Sequence, residues 1–353
     1  MHVSENKPVI GITQGDINGI GVEVILKALH DPAILELVTP VIFSSPKTLS
    51  YYRKNLGLEE FSFHQCRDMD AINPKKVNLY TCYEEEVTIE PGKNTPASGK
   101  YAYLSLEKAV EALKGGKIHG LVTAPISKIG IQSEQFEFPG HTEYLGATLG
   151  GKPLMLLCHE KGLRVAVATG HVAIQQVPSL ITKELIVEKT TALCESLIKD
   201  FGIRKPRIAV LGLNPHAGED GLLGNEERDI IKPAIDACKS LNALIYGPYS
   251  ADGFFGNTTW QQFDGILAMY HDQGLIPFKT LAFEEGVNFT AGLPFVRTSP
   301  DHGTAYAIAG KNQASEISIR RAIYMALDII KQRQLHAEIT QNPLPKVNLK
   351  RER

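Results

Sequence analysis

The segment Gly-Ile-Leu-Ala-Met-Tyr-His-Asp-Gln-Gly, residues 265–274, is an apolar stretch of strand length that ends abruptly at His271 and Asp272. A continuous apolar run bounded by glycine is typical of a buried strand in a largely parallel sheet. Ligands of such sheets bind beyond the carboxyl ends of the strands. The segment therefore predicts an α/β fold in which a parallel strand delivers His271 to a ligand-binding edge.

Two other apolar segments end in a histidine in the same way. Residues 165–170 lead to His171, and residues 208–215 lead to His216 within the sequence GLNPHAG. Three neutral imidazoles from separate strand ends can bind a divalent metal ion and leave positions open for water or substrate. A single histidine near a strand end is more often a hydrogen-bonded structural residue, and the spacing matches no short metal motif such as HExxH. The repeated pattern, with loop-forming residues after each histidine, favours a shared metal site.

The composition is that of an ordinary globular enzyme. A chain of 353 residues exceeds what one core usually supports, so we expect two domains. Hydrophobic residues make up 43%, charged residues make up 22%, and the net charge of −2 creates no field that would attract nucleic acid or an anionic membrane. The five cysteines are scattered and form no CxxC pair, which is typical of a reducing compartment. No secretory signal or membrane-spanning apolar stretch occurs, so we expect a cytoplasmic protein.

A glycine-rich turn lies near the start of the chain. Residues 8–13 (PVIGIT) predict a strand, residues 15–21 (GDINGIG) predict a turn, and a helix is expected from Val22 to Leu29. Strand, glycine-rich turn and helix together form an anion-binding geometry, because backbone N–H groups at the start of the helix point into the turn. Neither GxGxxG nor GxxxxGK[ST] occurs. A tight turn that needs glycine for backbone reasons is an equally good interpretation.

Polar residues follow two further predicted turns. The strand within residues 120–128 runs into a proline turn that exposes Lys128. The Pro-Gly turn before His141 presents this histidine together with Thr142 and Glu143. Such a loop is either a helix N-cap or a substrate loop.

Acidic candidates lie in loops. Residues 216–228 form a glycine- and acid-rich loop that is too long for a plain connector, so we expect it to carry function or an interface. Asp252 lies in a predicted turn and is a second acidic candidate beside Asp272. Turn aspartates are commonly structural, which is the simpler interpretation for Asp252.

Lys279, Asn288 and Arg297 recur at intervals of nine residues. This interval is neither helical nor strand periodicity, so we expect separate loop or strand-end residues. Arginine and lysine are the usual partners of phosphate groups. A phosphorylated small substrate therefore explains these residues, although surface solvation explains each basic residue taken alone.

Eight blocks of this sequence occur in the order and at the spacing of one known family. They are GDINGIG, VTAPISK, PGHTEYL, ATGHVA, LGLNPHAGEDGLLGNEE, GPYSADGFF, YHDQGLIPFK and GVNFTAGLPFVRTSPDHGTAYAIAG. Through them nearly the whole chain resembles the 4-hydroxythreonine-4-phosphate dehydrogenases, the PdxA family, of pyridoxal 5′-phosphate biosynthesis. Ile17, Asn18 and Val22 depart from the Pro, Ala and Pro that are common there, whereas the glycines and Asp16 are kept.

The resemblance implies a set of site residues. One divalent metal ion per site, Zn, Mg, Co or Mn, would be held by His171, His216 and His271. The substrate would be held by His141, Thr142, Lys279, Asn288 and Arg297. NAD or NADP would contact the loop formed by Asp301, His302, Gly303, Thr304 and Ala305. Asp252 or Asp272 would tune the metal ligands or relay a proton.

The resemblance also implies an architecture. The fold would be the two-domain α/β/α fold of the isocitrate and isopropylmalate dehydrogenases, with the active site in the interdomain cleft. One domain would comprise residues 1–125 and 275–353 with the cofactor loop, and the other residues 126–274 with the metal ligands and a dimer interface. The active site would be shared between the two subunits of a homodimer. Which subunit supplies which histidine stays open.

The implied reaction is oxidation of 4-phosphooxy-L-threonine with NAD or NADP. The product, 2-amino-3-oxo-4-phosphooxybutanoate, decarboxylates to 3-amino-2-oxopropyl phosphate. One alternative is a sister activity on phosphorylated four-carbon sugar acids such as 4-phospho-D-erythronate or threonate. Another is a metal-dependent hydrolase, which would keep the histidines but would not need the loop 301–310.

Overall fold

A computed structural model of the protein describes residues 7–343, and within them twelve strands form one sheet. The strands are β1 (Val9–Thr13), β2 (Thr39–Ser44), β3 (His64–Cys66), β4 (Asn78–Thr81), β5 (Gly120–Thr123), β6 (Leu154–Cys158), β7 (Arg164–Val167), β8 (Arg207–Leu211), β9 (Leu244–Tyr249), β10 (Gly265–Ala268), β11 (Val287–Ala291) and β12 (Val296–Pro300). Their order across the sheet is β3-β4-β2-β1-β5-β12-β11-β6-β7-β10-β8-β9.

Eleven α-helices occur in the same residues. They are α1 (Gly21–Leu29), α2 (Ile34–Leu37), α3 (Pro46–Asn55), α4 (Pro96–Lys114), α5 (His141–Leu149), α6 (Val177–Leu180), α7 (Lys183–Lys199), α8 (Lys232–Ala237), α9 (Ala251–Gly256), α10 (His271–Ala282) and α11 (Ile317–Gln341). Short 3₁₀ turns span Met69–Ala71, Ile174–Gln176, Pro215–Gly221, Cys238–Ser240 and Thr259–Gln262, and a π-helical turn spans Glu227–Ile231. In the stretch from 7 to 343, no helix combines the length and the hydropathy that a membrane crossing requires.

Helices cover both faces of the sheet because successive strand residues point to opposite sides. Ile10 and Ile12 of β1 belong to a core that includes residues of α1 and α11. Val41 and Phe43 of β2 belong to a separate core, which includes residues of α4. Each of these fully buried side chains contributes roughly 1.5–3 kcal/mol to stability. The predicted α/β class with helices on both sides of the sheet is confirmed.

The C-terminal hairpin occupies the middle of the sheet. β12 pairs in parallel with β5, and β11 pairs antiparallel with both β12 and β6. One side of the sheet therefore consists of the strands in residues 7–125 and 287–300. The other side consists of the strands in residues 154–268. The sheet is continuous across the junction of β11 with β6. The division into two domains stays a prediction.

The three strands that precede the predicted histidines are neighbours. β10 lies between β7 and β8 and is parallel to both. Their carboxyl ends therefore meet at one edge of the sheet, as the apolar runs predicted. The residues after β10 differ from the expectation, because His271 begins α10 instead of a loop. Asp272 in the first turn of this helix favours its start through the helix dipole.

Candidate active site

A cleft of about 270 Å³ lies at the carboxyl ends of β5 and β12 and against α5 and α10. The predicted site residues that line it are His141, Thr142, His171, His271, Lys279, Asn288, Arg297, Asp301, His302 and Gly303. Lys128 and Glu143 also line the cleft, although neither was among the predicted site residues. The predicted residues outside the lining are His216, Asp252, Asp272, Thr304 and Ala305.

Arg297 is a buried cation at the floor of the cleft. Its side chain lies on β12 and the residue is 3% exposed. Nε and a terminal nitrogen donate to Oγ1 of Thr123 at 3.1 and 2.6 Å, and the other terminal nitrogen donates to Oγ1 of Thr290 at 2.9 Å. Burial lowers the pKa of Arg297 from 12.5 to about 10, with a partly opposing effect of Glu143, so the guanidinium stays charged near neutral pH.

No carboxylate of residues 7–343 forms an ion pair with Arg297. Its three hydrogen bonds go to neutral threonine hydroxyls, and the charge of Glu143 compensates the guanidinium only in part, which is costly for a buried ion. A group of opposite charge in the cleft would remove that cost. Arg297 therefore fits an anionic part of a ligand.

Three other cleft residues carry a buried polar atom that lacks a hydrogen-bond partner within the described chain. The atoms are Nε2 of His141, Oδ1 of Asn288 and Nε2 of His302. Leaving such an atom unsatisfied costs roughly 1–3 kcal/mol, so these atoms are expected to bind a ligand or water. Burial, and then the charge of Arg297, lower the pKa of His141 well below its ordinary value. Burial also lowers the pKa of His302, so both imidazoles are neutral near pH 7.

Lys279 and Asp301 form a second charged group in the cleft. Nζ of Lys279 lies 3.5 Å from Oδ1 of Asp301. Burial raises the pKa of Asp301, and the charge of Lys279 opposes this shift. The expectation of a loop or strand-end position is wrong for Lys279, which lies in α10, whereas Asn288 and Arg297 are each the second residue of a strand. The helix and the β11–β12 hairpin bring these residues together, which a spacing of nine cannot reveal.

His171 and His271 form a pair at one side of the cleft. Their ring centroids are 5.8 Å apart, a separation compatible with two ligands of one ion. Nζ of Lys128 lies 3.3 Å from Nε2 of His171, and Oε1 of Glu143 lies 3.9 Å from its Nδ1. The interaction with His171 is the main cause of the lowered pKa of Glu143. Nδ1 of His271 and Oδ1 of Asp272 are 2.7 Å apart.

His216 lies outside this pair, in a strained turn. The φ angles of residues 216–220 are 51°, 51°, 80°, 42° and 53°, and only residue 218 is glycine. Each left-handed non-glycine residue costs roughly 1–2 kcal/mol, and such strain tends to cluster at functional sites. The side chain of His216 is exposed. Among residues 7–343, no group of three or more His, Cys, Asp or Glu is arranged to hold a metal ion. The three-histidine site therefore stays a prediction.

A buried carboxylate holds this strained turn. Glu227 is 3% exposed and accepts hydrogen bonds from the backbone N–H groups of Leu213 and Asn214, both at 2.7 Å. The side-chain amide of Asn214 donates to it as well, at 3.0 Å. The left-handed backbone of this loop was not foreseen, and the expectation that the loop carries function or an interface stays a prediction.

The two acidic candidates lie on the surface. Asp252 accepts a hydrogen bond from the Ser250 hydroxyl, which is the main cause of its lowered pKa, and the charge of His216 adds to the effect. This contact fits the structural interpretation of a turn aspartate. Asp272 is also exposed and contacts His271. The catalytic role of either residue stays a prediction.

In the glycine-rich turn near the start of the chain, backbone N–H groups are already hydrogen-bonded to other parts of the protein. Asp16 donates its backbone N–H to the carbonyl of Pro125 at 2.9 Å, and Ile20 donates its own to the carbonyl of Thr304 at 3.0 Å. Gly15 has φ +68°, and a Cβ there would lie 2.3 Å from the Pro125 carbonyl oxygen. These bonds occupy N–H groups that an anion would need. Of the two interpretations, the structure favours the tight turn.

Known proteins match most of the length of this chain. The family model described as pyridoxal phosphate biosynthetic protein PdxA matches residues 36–326. The 4-hydroxythreonine-4-phosphate dehydrogenase of Bacteroides thetaiotaomicron is 51% identical over 345 residues, which cover 98% of this chain and 94% of that protein. A relative from Oceanobacillus iheyensis with the provisional name D-threonate 4-phosphate dehydrogenase is 37% identical, with coverage of 92% and 98%. The crystal structure of 4-hydroxythreonine-4-phosphate dehydrogenase from Klebsiella pneumoniae has a TM-score of 0.78 at 32% identity and covers 93% of this chain and 99% of that one.

Proposed function

Because this chain belongs to the family of the pyridoxal phosphate biosynthetic protein PdxA, we propose that it oxidises the secondary alcohol of 4-phosphooxy-L-threonine with NAD or NADP. The product, 2-amino-3-oxo-4-phosphooxybutanoate, is a β-keto acid that loses CO₂ to give 3-amino-2-oxopropyl phosphate. The observation that carries the proposal is the buried guanidinium of Arg297, which has no carboxylate partner within residues 7–343. An anionic substrate supplies the missing charge.

In this proposal the floor of the cleft binds the phosphorylated end of the substrate. Arg297 and Lys279 carry the positive charge, and charge-assisted hydrogen bonds to phosphate are stronger than neutral ones. The neutral His141 and the unpartnered Oδ1 of Asn288 supply polar contacts beside them. Thr142, at the start of α5, is the fifth proposed substrate contact.

We assign the metal to His171 and His271 of one subunit and His216 of the other subunit of a homodimer. The ring separation of the first two residues and the outward position of the third support this division. The chemistry that a divalent ion, whether Zn, Mg, Co or Mn, supplies when bound is a lower pKa of the substrate alcohol. Asp272 holds the ring of His271, and Asp252 lies beside His216, so both carboxylates orient or tune the ligands.

We assign the cofactor to the segment from Asp301 to Ala305. Asp301, His302 and Gly303 line the cleft, and Nε2 of His302 is a buried atom that a ligand can satisfy. The chemistry that the nicotinamide supplies when bound is acceptance of the hydride from the alcohol carbon. We also propose a cytoplasmic location.

The substrate assay tests the proposal most directly. With NAD or NADP and a divalent ion, we expect 4-phosphooxy-L-threonine to give reduced nicotinamide and CO₂. Its kcat/KM should exceed those of 4-phospho-D-erythronate and 4-phospho-D-threonate by at least about 10-fold, the effect of roughly 1.4 kcal/mol of differential binding. Absorbance of the reduced nicotinamide and trapped CO₂ are the two readouts.

A sugar-acid dehydrogenase is the second candidate, because the relative from Oceanobacillus iheyensis carries a D-threonate 4-phosphate name. A higher kcat/KM for the sugar acids would favour it and would contradict the main proposal.

A metal-dependent hydrolase is the third candidate. Release of phosphate from these substrates without any reduced nicotinamide would favour the hydrolase.

Hybrid dimers test the shared metal site. His216→Ala mixed with His171→Ala, or with His271→Ala, should regain activity after joint denaturation and refolding, because one site of each hybrid is intact. About half of the dimers are hybrids with one of two sites restored, so roughly a quarter of wild-type activity should return. The pair His171→Ala with His271→Ala should regain none. Mass analysis that finds hybrids in inactive mixtures of all three pairings would contradict a shared site.

A further inference from the structure

We propose that Asp16 and Tyr306 form an anchor that fixes the segment 301–316 against the glycine-rich turn, and that both act as positioning residues for the nicotinamide cofactor. The inference rests on the proposed function, because it takes this segment as the cofactor segment. It also gives a role to the GDINGIG motif, to which the proposed function assigns no contact with substrate or metal.

The segment 301–316 has no strand or α-helix of its own and connects β12 to α11. It is held on the β1–α1 unit at three places. Oη of Tyr306 donates to Oδ2 of Asp16 at 2.7 Å, and the carbonyl of Thr304 accepts from the backbone N–H of Ile20 at 3.0 Å. The backbone N–H of Ala314 donates to Oε1 of Glu23 at 2.9 Å. A segment without regular structure thus depends on contacts with its neighbours for its conformation.

Asp16 is a rigid anchor point. It is fully buried, and its carboxylate also accepts from the backbone N–H of Asn18 at 2.8 Å and from Oγ of Ser98 at 3.0 Å. Burial, followed by the hydrogen bond to Asp16 and then the charge of Asp16, raises the pKa of Tyr306, so its hydroxyl remains a neutral donor to this carboxylate. A hydrogen bond to a buried charged group is of the strong kind.

Two glycines let the segment lie close to the turn. A Cβ on Gly19 would lie 2.9 Å from the carbonyl oxygen of Thr304, and a Cβ on Gly92 would lie 2.9 Å from that of Tyr306. Asn18 bridges to the second of these regions, because its Oδ1 accepts from the backbone N–H of Glu90 at 2.8 Å. Asn18 therefore contributes to the same anchor.

The anchor acts on the cleft through a short length of chain. Tyr306 follows Asp301, His302 and Gly303 closely, and these three residues line the cleft. Without the hydrogen bond from Tyr306, the segment gains conformations that do not bind the cofactor. Binding then has to select the competent conformation, which raises the apparent Kd.

Tyr306→Phe tests the anchor, because phenylalanine keeps the ring and removes only the hydroxyl. We expect the Kd for NADH or NADPH, measured by fluorescence titration without substrate, to rise about 10-fold, the low end for loss of a hydrogen bond to a charged group. Backbone amides of residues 301–316 should exchange with deuterium faster. The KM for the nicotinamide should rise while kcat stays within about two-fold, a split that a general loss of structure would not produce.

The control is Tyr103→Phe, which removes a hydroxyl that donates to Glu107 at 2.8 Å on α4 and should change none of these readouts.

Asp16→Asn is the second variant. If the two residues act as a pair, the double variant should bind the cofactor no more weakly than the weaker single variant. Strictly additive effects, or a wild-type Kd in Tyr306→Phe, would overturn the anchor. If the wild-type protein neither binds nor reduces a nicotinamide, the proposed function fails and the anchor loses its cofactor role with it.

Discussion

His216→Ala is expected to lower turnover by more than about 100-fold, the upper end for residues that only support a metal ligand, while the fold stays intact. The side chain is exposed, and histidine and alanine both carry a Cβ, so the strain of the left-handed turn is nearly the same in the variant. Truncation of an exposed side chain then changes the free energy of unfolding by less than about 0.5 kcal/mol. The midpoint of thermal unfolding should therefore move by no more than about 2 °C. Steady-state kinetics and circular dichroism melting are the measurements.

The matched control is His30→Ala, because His30 is an exposed histidine outside the cleft lining. It should leave turnover unchanged. In the wild-type protein, a chelator should remove activity and a divalent ion should restore it, since imidazole ligands bind such ions reversibly. Full activity of either the chelated protein or His216→Ala would remove His216 from the metal site.

Arg297→Ala is expected to raise KM for the phosphorylated substrate by about 10- to 150-fold, because loss of a charge-assisted pair costs roughly 1.5–3 kcal/mol. The same change leaves the hydroxyls of Thr123 and Thr290 without their guanidinium partner. Removal of a desolvated charge offsets part of that cost to folding. Arg297→Lys should give an intermediate KM, since lysine keeps the charge but lacks the fork that reaches both threonines.

Two comparisons make the Arg297 test specific. The dephosphorylated substrate should lose little further affinity in Arg297→Ala, because the group that the arginine binds is already missing. Arg53→Ala is the control, since Arg53 donates to the carbonyl of Phe61 and does not line the cleft. An unchanged KM for the phosphorylated substrate in Arg297→Ala would exclude the arginine from the phosphate site.

The sequence predicted the local part of this architecture well. The apolar runs before His171, His216 and His271 form neighbouring parallel strands, as predicted. The prediction works because a strand that is buried on both faces needs apolar residues along its whole length. The α/β class followed from the same pattern. The helix that begins at His271 was missed, since an apolar run followed by polar residues does not distinguish a helix start from a loop.

Longer-range features could not be predicted from sequence patterns. The left-handed turn of residues 216–220 depends on Glu227, which follows the turn in the chain and bonds to residues before it. The floor of the cleft depends on hydrogen bonds from Arg297 to Thr123, 174 residues away. Periodicity describes neighbours along a helix or strand, so it carries no information about such pairs. The pairing of His171 with Lys128 and Glu143 is of the same kind.

The position of β11 and β12 between β5 and β6 constrains how the chain folds as it is made. On the ribosome, every strand from β1 to β10 emerges before residues 287–300. Until then β5 and β6 each lack one final neighbour, and such open strand edges invite wrong pairing with other nascent chains. Closing contacts over so long a chain separation is slow. The centre of the sheet, and the cleft built on it, is therefore expected to form last, after both flanking halves are already in place.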